Sequence, residues 1–140
     1  MNFKNSILTL ALMVFSALAF AQEKASPART AEGTAAGSKI TIKYSSPAVK
    51  GRTIWGDLVP LGQVWRAGAD EATTFTTSKD ITIEGQKLPA GTYSFFIIPG
   101  ESQSTLIFNK VAKQWGAYNY DAKEDQLRVN VPSQQTSTME

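Results

Sequence analysis

Residues 91–100 read GTYSFFIIPG, and their pattern decides the fold. From Tyr93 to Ile98 the segment is apolar on both alternating faces, as expected of a central β-strand buried on both sides. Pro89, Ala90 and Gly91 supply a turn into it, and Pro99-Gly100 ends it. The segments around it alternate with period two. In KITIKYS (Lys39 to Ser45), Ile40, Ile42 and Tyr44 face one way and Thr41 and Lys43 the other. ATTFTTS (Ala72 to Ser78) reads as a half-exposed strand centred on Phe75. ITIEGQKL (Ile81 to Leu88) reads as strand, turn at Glu84-Gly85, and strand. STLIFNK (Ser104 to Lys110) and QLRVNV (Gln126 to Val131) complete the set. No stretch after residue 39 carries a helical apolar stripe. Short strands with regular turn signals predict an all-β protein, an antiparallel β-sandwich, in a body of about 90–100 residues.

The chain before this body differs in character. MNFKNSILTLALMVFSALAFAQ has Lys4, an apolar run from Ile7 to Phe20, and Ala19-Phe20-Ala21 ahead of Gln22. That is the plan of a secretory signal peptide over residues 1–21, cleaved between Ala21 and Gln22, and it predicts a periplasmic or secreted protein. The run is shorter than the ~20 residues of a membrane span, so an uncleaved anchor is the weaker alternative and no integral span is expected after cleavage. Residues 22–38, rich in Ala, Gly, Ser and Thr, lack periodic apolar residues and predict a flexible linker, with a frayed helix as the alternative. The domain is then expected over residues 39–140, with no internal repeat. RVNVPSQQTSTME ends polar just after a strand, which predicts an unpaired sheet edge, with either a small domain or a body cut short at the C-terminus.

The 140 residues contain no cysteine and no histidine, and the formal net charge is +2. Disulfides, thiolate and His-based metal sites, and Ser-His or Cys-His catalysis are therefore excluded. No phosphate-cradling glycine loop or calcium loop is present, so no cofactor and no metal is expected. A near-neutral chain gives no electrostatic case for nucleic acid.

Carboxylate, arginine, aromatic and hydroxyl chemistry remains, in three stretches. VWRAGADEATTF (Val64 to Phe75) sets Trp65, Arg66, Asp70 and Glu71 around Gly68. Arg66 offers a planar fork of donors suited to carboxylate, phosphate or paired hydroxyls. Its structural reading is a braced turn in which Arg66 pairs with Asp70 or Glu71 and Trp65 fills the core. SSPAVKGRTIWGDLVP (Ser45 to Pro60) carries Lys50, Arg52, Trp55 and Asp57, either a plain connection or a second wall to the first stretch. KQWGAYNYD (Lys113 to Asp121) clusters Trp115, Tyr118 and Tyr120, either core aromatics or a surface that stacks and hydrogen-bonds sugar rings.

Taken with IFNK, QWGAYNYD and LRVNV, the run from Tyr44 to Gly100 resembles an exported bacterial family of unknown function, domain of unknown function 2911, common in the Bacteroidetes. The resemblance covers about Tyr44 to Val131. It implies an exported β-rich domain and no activity. It singles out Trp65, Arg66, Gly68, Ala69, Glu71 and Thr73 as the family's most recognisable segment. Asp70 stands where members commonly have Asn, which turns attention to Arg66 and Glu71. Members also run on past the point where this chain ends.

Three functions are compatible with these residues. The leading expectation is a domain binding a small polar or carbohydrate-like ligand, with Arg66 and Glu71 giving hydrogen bonds, Trp65, Trp55 or Trp115 a stacking surface, Tyr118 beside them, and Arg66 lining the main pocket. The second is a structural or assembly module of the cell envelope without a small ligand. The third is a carboxylate-dependent hydrolase, which would need Glu71 and Asp57 or Asp121 facing each other at ~5–10 Å.

Overall fold

The computed structural model describes residues 25–137. The expected signal peptide lies outside the described residues. Eight strands form: β1 (Ala28–Ala35), β2 (Ser38–Ser45), β3 (Thr74–Thr77), β4 (Ile81–Ile83), β5 (Gln86–Leu88), β6 (Gly91–Ile98), β7 (Gln103–Asn109) and β8 (Asp125–Pro132), with one 3-10 turn over Ala122–Glu124. Six of them make one antiparallel sheet in the order β1-β2-β3-β6-β7-β8, and β4-β5 make a second, two-stranded sheet. The protein is therefore all-β and sandwich-like. GTYSFFIIPG supplies β6 near the middle of the large sheet, paired with β3 on one side and β7 on the other.

The two faces of β6 build two cores. Tyr93, with half-buried Phe95, packs with Phe108, Leu127 and Val129 beneath the β4-β5 hairpin, which contributes Ile81 and Leu88. On the opposite face Phe96 and Ile107 pack against Ala72, with Val64, Ala117 and Tyr120 around them. No strand covers this second face among the described residues. Its cover is irregular chain, drawn from the connection between β2 and β3 and from the one between β7 and β8.

β1 corrects the sequence reading. Residues 28–35 fall in the stretch expected to be a flexible linker, yet all eight pair with β2 in continuous register, from Ala28 opposite Ser45 to Ala35 opposite Ser38. The domain thus begins well before Lys39. The tight turn uses Ala36 and Gly37, both at positive φ (50° and 73°), as a two-residue hairpin of this twist requires. β1 is exposed along its whole length. Its hydrogen-bond ladder, not an apolar face, holds it, so hydrophobic periodicity carried no sign of it.

The β4-β5 hairpin is tied to its surroundings by Asp80. Its carboxylate accepts the Ala90 N–H at 2.8 Å and pairs with Lys87 Nζ at 3.0 Å. First the Ala90 N–H and then Lys87 hold its pKa below the ordinary 3.8. A depressed folded-state value means that the contribution is fully present above pH about 3.8 and disappears as pH falls through the lower value. A carboxyl titration followed by NMR should therefore give Asp80 a midpoint under 3.8, returning to the ordinary value in denaturant; a folded midpoint at or above it contradicts the pairing.

Candidate functional site

Arg66 to Ala72 leave the sheet as an excursion. Trp65 N–H donates to Ile97 O and Ile97 N–H to Trp65 O, both at 2.8 Å, while Phe95 N–H donates to Thr73 O at 2.7 Å. Opposite Phe96, where a regular ladder has one residue, the chain inserts the whole segment from Arg66 to Ala72. Ala67 (φ 48°), Gly68 (φ 101°) and Asp70 (φ 58°) take the left-handed conformations that turn it back. At Gly68 a Cβ would sit 3.0 Å from Ser45 O and 3.1 Å from Thr73 Oγ1, so only glycine allows this approach to β2. Thr73 Oγ1 donates to Ala67 O and closes the base.

The excursion docks on the β7-β8 connection. Ala72 N–H donates to Gln114 O (2.9 Å), Gly116 N–H donates to Asp70 O (3.0 Å), and Glu71 bridges Trp115 antiparallel. This register turns Ala72 and Gln114 inward: Ala72 is in the Phe96 core, and Gln114 Nε2 donates to Ser94 Oγ at 3.0 Å. Glu71 and Trp115 consequently share the outward side. Gly116 is buried between the Tyr118 ring and the Arg66 stem; a Cβ there would meet Tyr118 carbons at 3.2 Å and Arg66 Cδ at 3.8 Å.

The six candidate ligand-binding residues, Trp55, Trp65, Arg66, Glu71, Trp115 and Tyr118, divide between the sheet's two faces. Arg66, Glu71, Trp115 and Tyr118 gather around the docked segments. Trp65 pairs with Ile97 and so faces away from its neighbour Val64, which packs on the Phe96 side. Trp55 meets Trp65 edge-on, with centroids 5.5 Å apart and planes at 89°, and stays with it rather than with Arg66. Trp55 does not form a second wall to the Arg66 group.

Arg66 does not pair with Asp70 or Glu71. None of the three makes an ion pair or a side-chain hydrogen bond among the described residues, whereas Arg52 donates to Ala48 O and Val49 O and Arg128 to Asp125 and Tyr120. Arg66 is half-buried, and its Nε is sealed from solvent with no acceptor; Gln114 Oε1 is likewise buried without a donor. These are the two buried side-chain polar atoms left unmatched among the described residues. Around them Trp115 is 56% exposed and Tyr118 83% exposed.

Residues the sequence reading passed over hold this arrangement. Asn109, fully buried, donates from Nδ2 to Asp121 O (3.0 Å) and Asp125 Oδ1 (2.9 Å) and accepts from Val111 N–H (3.0 Å), clamping both ends of the β7-β8 connection. Tyr120 donates to Asp125 Oδ2 and accepts from Arg128. Burial and then the Asp125 carboxylate push the Tyr120 phenol above its usual range. The glycine set between aromatics in QWGAY was the one sign in the sequence of close approach.

Arg66 lines neither of two cavities found on the protein. They lie on the β4-β5 side of the sheet, about 470 Å³ and 400 Å³, and share Ile42, Phe75 and Ile83. The walls of the second are almost wholly apolar, and the first adds Glu32, Thr34 and Thr82 to a mainly apolar lining. The Arg66 group is instead an open platform. Among the described residues no cluster of three acidic side chains could hold a metal ion, and no helix is long and apolar enough to cross a membrane. The Asp121 carboxylate, one candidate hydrolase partner for Glu71, caps the 3-10 turn by accepting the Lys123 N–H at 2.9 Å.

A family model described as "Protein of unknown function (DUF2911)" matches residues 26–140. No curated protein and no solved structure matches the chain.

Proposed function

The chain belongs to this DUF2911 family, whose description assigns no activity, and we propose from the site that the domain binds a small polar ligand of carbohydrate type. One observation carries the reading: Trp115 and Tyr118 are presented to solvent on a segment pinned to the excursion that holds the unpaired Arg66. Fixed, exposed aromatic faces beside unmatched hydrogen-bonding groups suit a flat, hydroxyl-bearing ring. Arg66 provides donors, and Glu71, on the Trp115 side, provides a carboxylate acceptor for hydroxyls. The leader expected at residues 1–21 directs this binding to the periplasm or the exterior.

Trp115→Ala and Tyr118→Ala test the reading. Both side chains are exposed, so each change should shift stability by no more than ~0.5 kcal/mol. Truncating an aromatic anchor weakens binding by ~1–2 kcal/mol, about tenfold. In a glycan screen of the full chain, read by melting shift and then calorimetry, at least one saccharide should bind the wild type and lose about tenfold affinity in these variants. Absence of any saccharide response, or wild-type affinity retained in both variants, overturns the proposal.

A further inference from the structure

Resting on that reading, the geometry points to a narrower ligand class: an acidic saccharide whose carboxylate pairs with Arg66 while its ring lies against Tyr118, which shares the Gly116 side of the ribbon with Arg66. Arg66 is a permanent cation with a half-buried stem and a sealed Nε, and no described residue gives it an anion. Nε is the one guanidinium nitrogen sealed without an acceptor, so the outer Nη donors stay open to solvent with no protein carboxylate on them, and an incoming carboxylate can take them through charge-assisted hydrogen bonds. A neutral sugar satisfies the aromatic surface and leaves the cation unmatched.

Glu71 and Asp70 set the rest of the specificity. Neither makes an ion pair among the described residues, so both remain available as acceptors for ligand hydroxyls. The register separates the charges: Glu71 faces outward with Trp115, while the Arg66 stem lies under Gly116 on the other side of the same short ribbon. A ligand matching both must accept hydrogen bonds at one end and donate them from the other. A uronic acid, with a carboxylate on one ring carbon and hydroxyls on the others, has that polarity.

The decisive comparison removes the ligand's charge at the cost of one added methyl group. Trisaccharides of galacturonate, glucuronate and mannuronate, each with its methyl ester, are titrated into the full wild-type chain and into Arg66→Gln by calorimetry. At least one acid should bind about tenfold or more tighter than its ester, and Arg66→Gln should bring that acid down to the level of the ester. If acid and ester bind equally, the acidic-saccharide inference falls while saccharide binding stands. If neither binds, the acidic-saccharide inference falls, and the glycan screen decides whether saccharide binding stands. If the acid advantage survives in a folded Arg66→Gln chain, Arg66 is not the partner and the assignment is overturned. Should Arg66→Gln fail to fold, the acid-to-ester ratio on the wild type decides the ligand class alone.

Discussion

Replacing Phe96 with alanine should cost about 3–5 kcal/mol, the range for truncating a fully buried aromatic. Phe96 is 0% exposed at the centre of β6, against Ile107 and Ala72, and its ring meets Tyr120 at 5.0 Å with planes at 58°. The irregular cover on this face relaxes poorly into the space left behind, because Tyr120 is held by Asp125 and Arg128. Domains of this size are stable by ~5–15 kcal/mol, so the change removes a large share of the total. Denaturant unfolding measures it directly; a loss under ~1.5 kcal/mol would mean that this face is not a packed core. In the surviving folded fraction the Tyr120 phenol should titrate closer to 10, because burial is the first cause of its raised value.

Asn109→Ala should cost about 2–4 kcal/mol for a different reason. It leaves Asp125 Oδ1, Asp121 O and the Val111 N–H without the partners they have now; a fully buried group so abandoned costs ~1–3 kcal/mol, and water reaching these part-buried bonds recovers some of it. Val111 and Asp121 stand at opposite ends of the segment that carries Trp115 and Tyr118. The variant should therefore lose ligand affinity even at temperatures where it remains folded, whereas Phe96→Ala acts mainly through global stability. A melt within 1 kcal/mol of wild type, with unchanged binding, contradicts the clamp.

The sheet was readable where burial imposes a pattern. β6 was legible because both faces are covered, and the β4-β5 turn because Glu84-Gly85 takes paired positive φ values (49° and 76°). β1 was not, since an exposed strand needs no apolar alternation. Within the site, the residue types were legible but their grouping was not. Docking of Asp70 to Ala72 on Gln114 to Gly116 joins two irregular segments distant in sequence, and its bonds are backbone bonds that any side chain could make. The pairing of Arg66 with its neighbouring carboxylates was a reasonable local expectation. It fails because the left-handed turns at Ala67, Gly68 and Asp70 send Arg66 beneath Gly116 instead.

The excursion between Trp65 and Thr73 also has a consequence for design and divergence. Because both flanking residues stay in one ladder against Ile97 and Phe95, the segment behaves as a cassette clipped into a continuous strand. Its length and side chains can be exchanged while the strand on either side keeps its register, provided that glycine at 68 and the inward alanine at 72 are retained. Recognition can then drift in this fold without renegotiating the sheet, and a cassette whose outward side chains alone are replaced, with Gly68 and Ala72 kept, makes a ligand-blind scaffold against which every binding experiment can be zeroed.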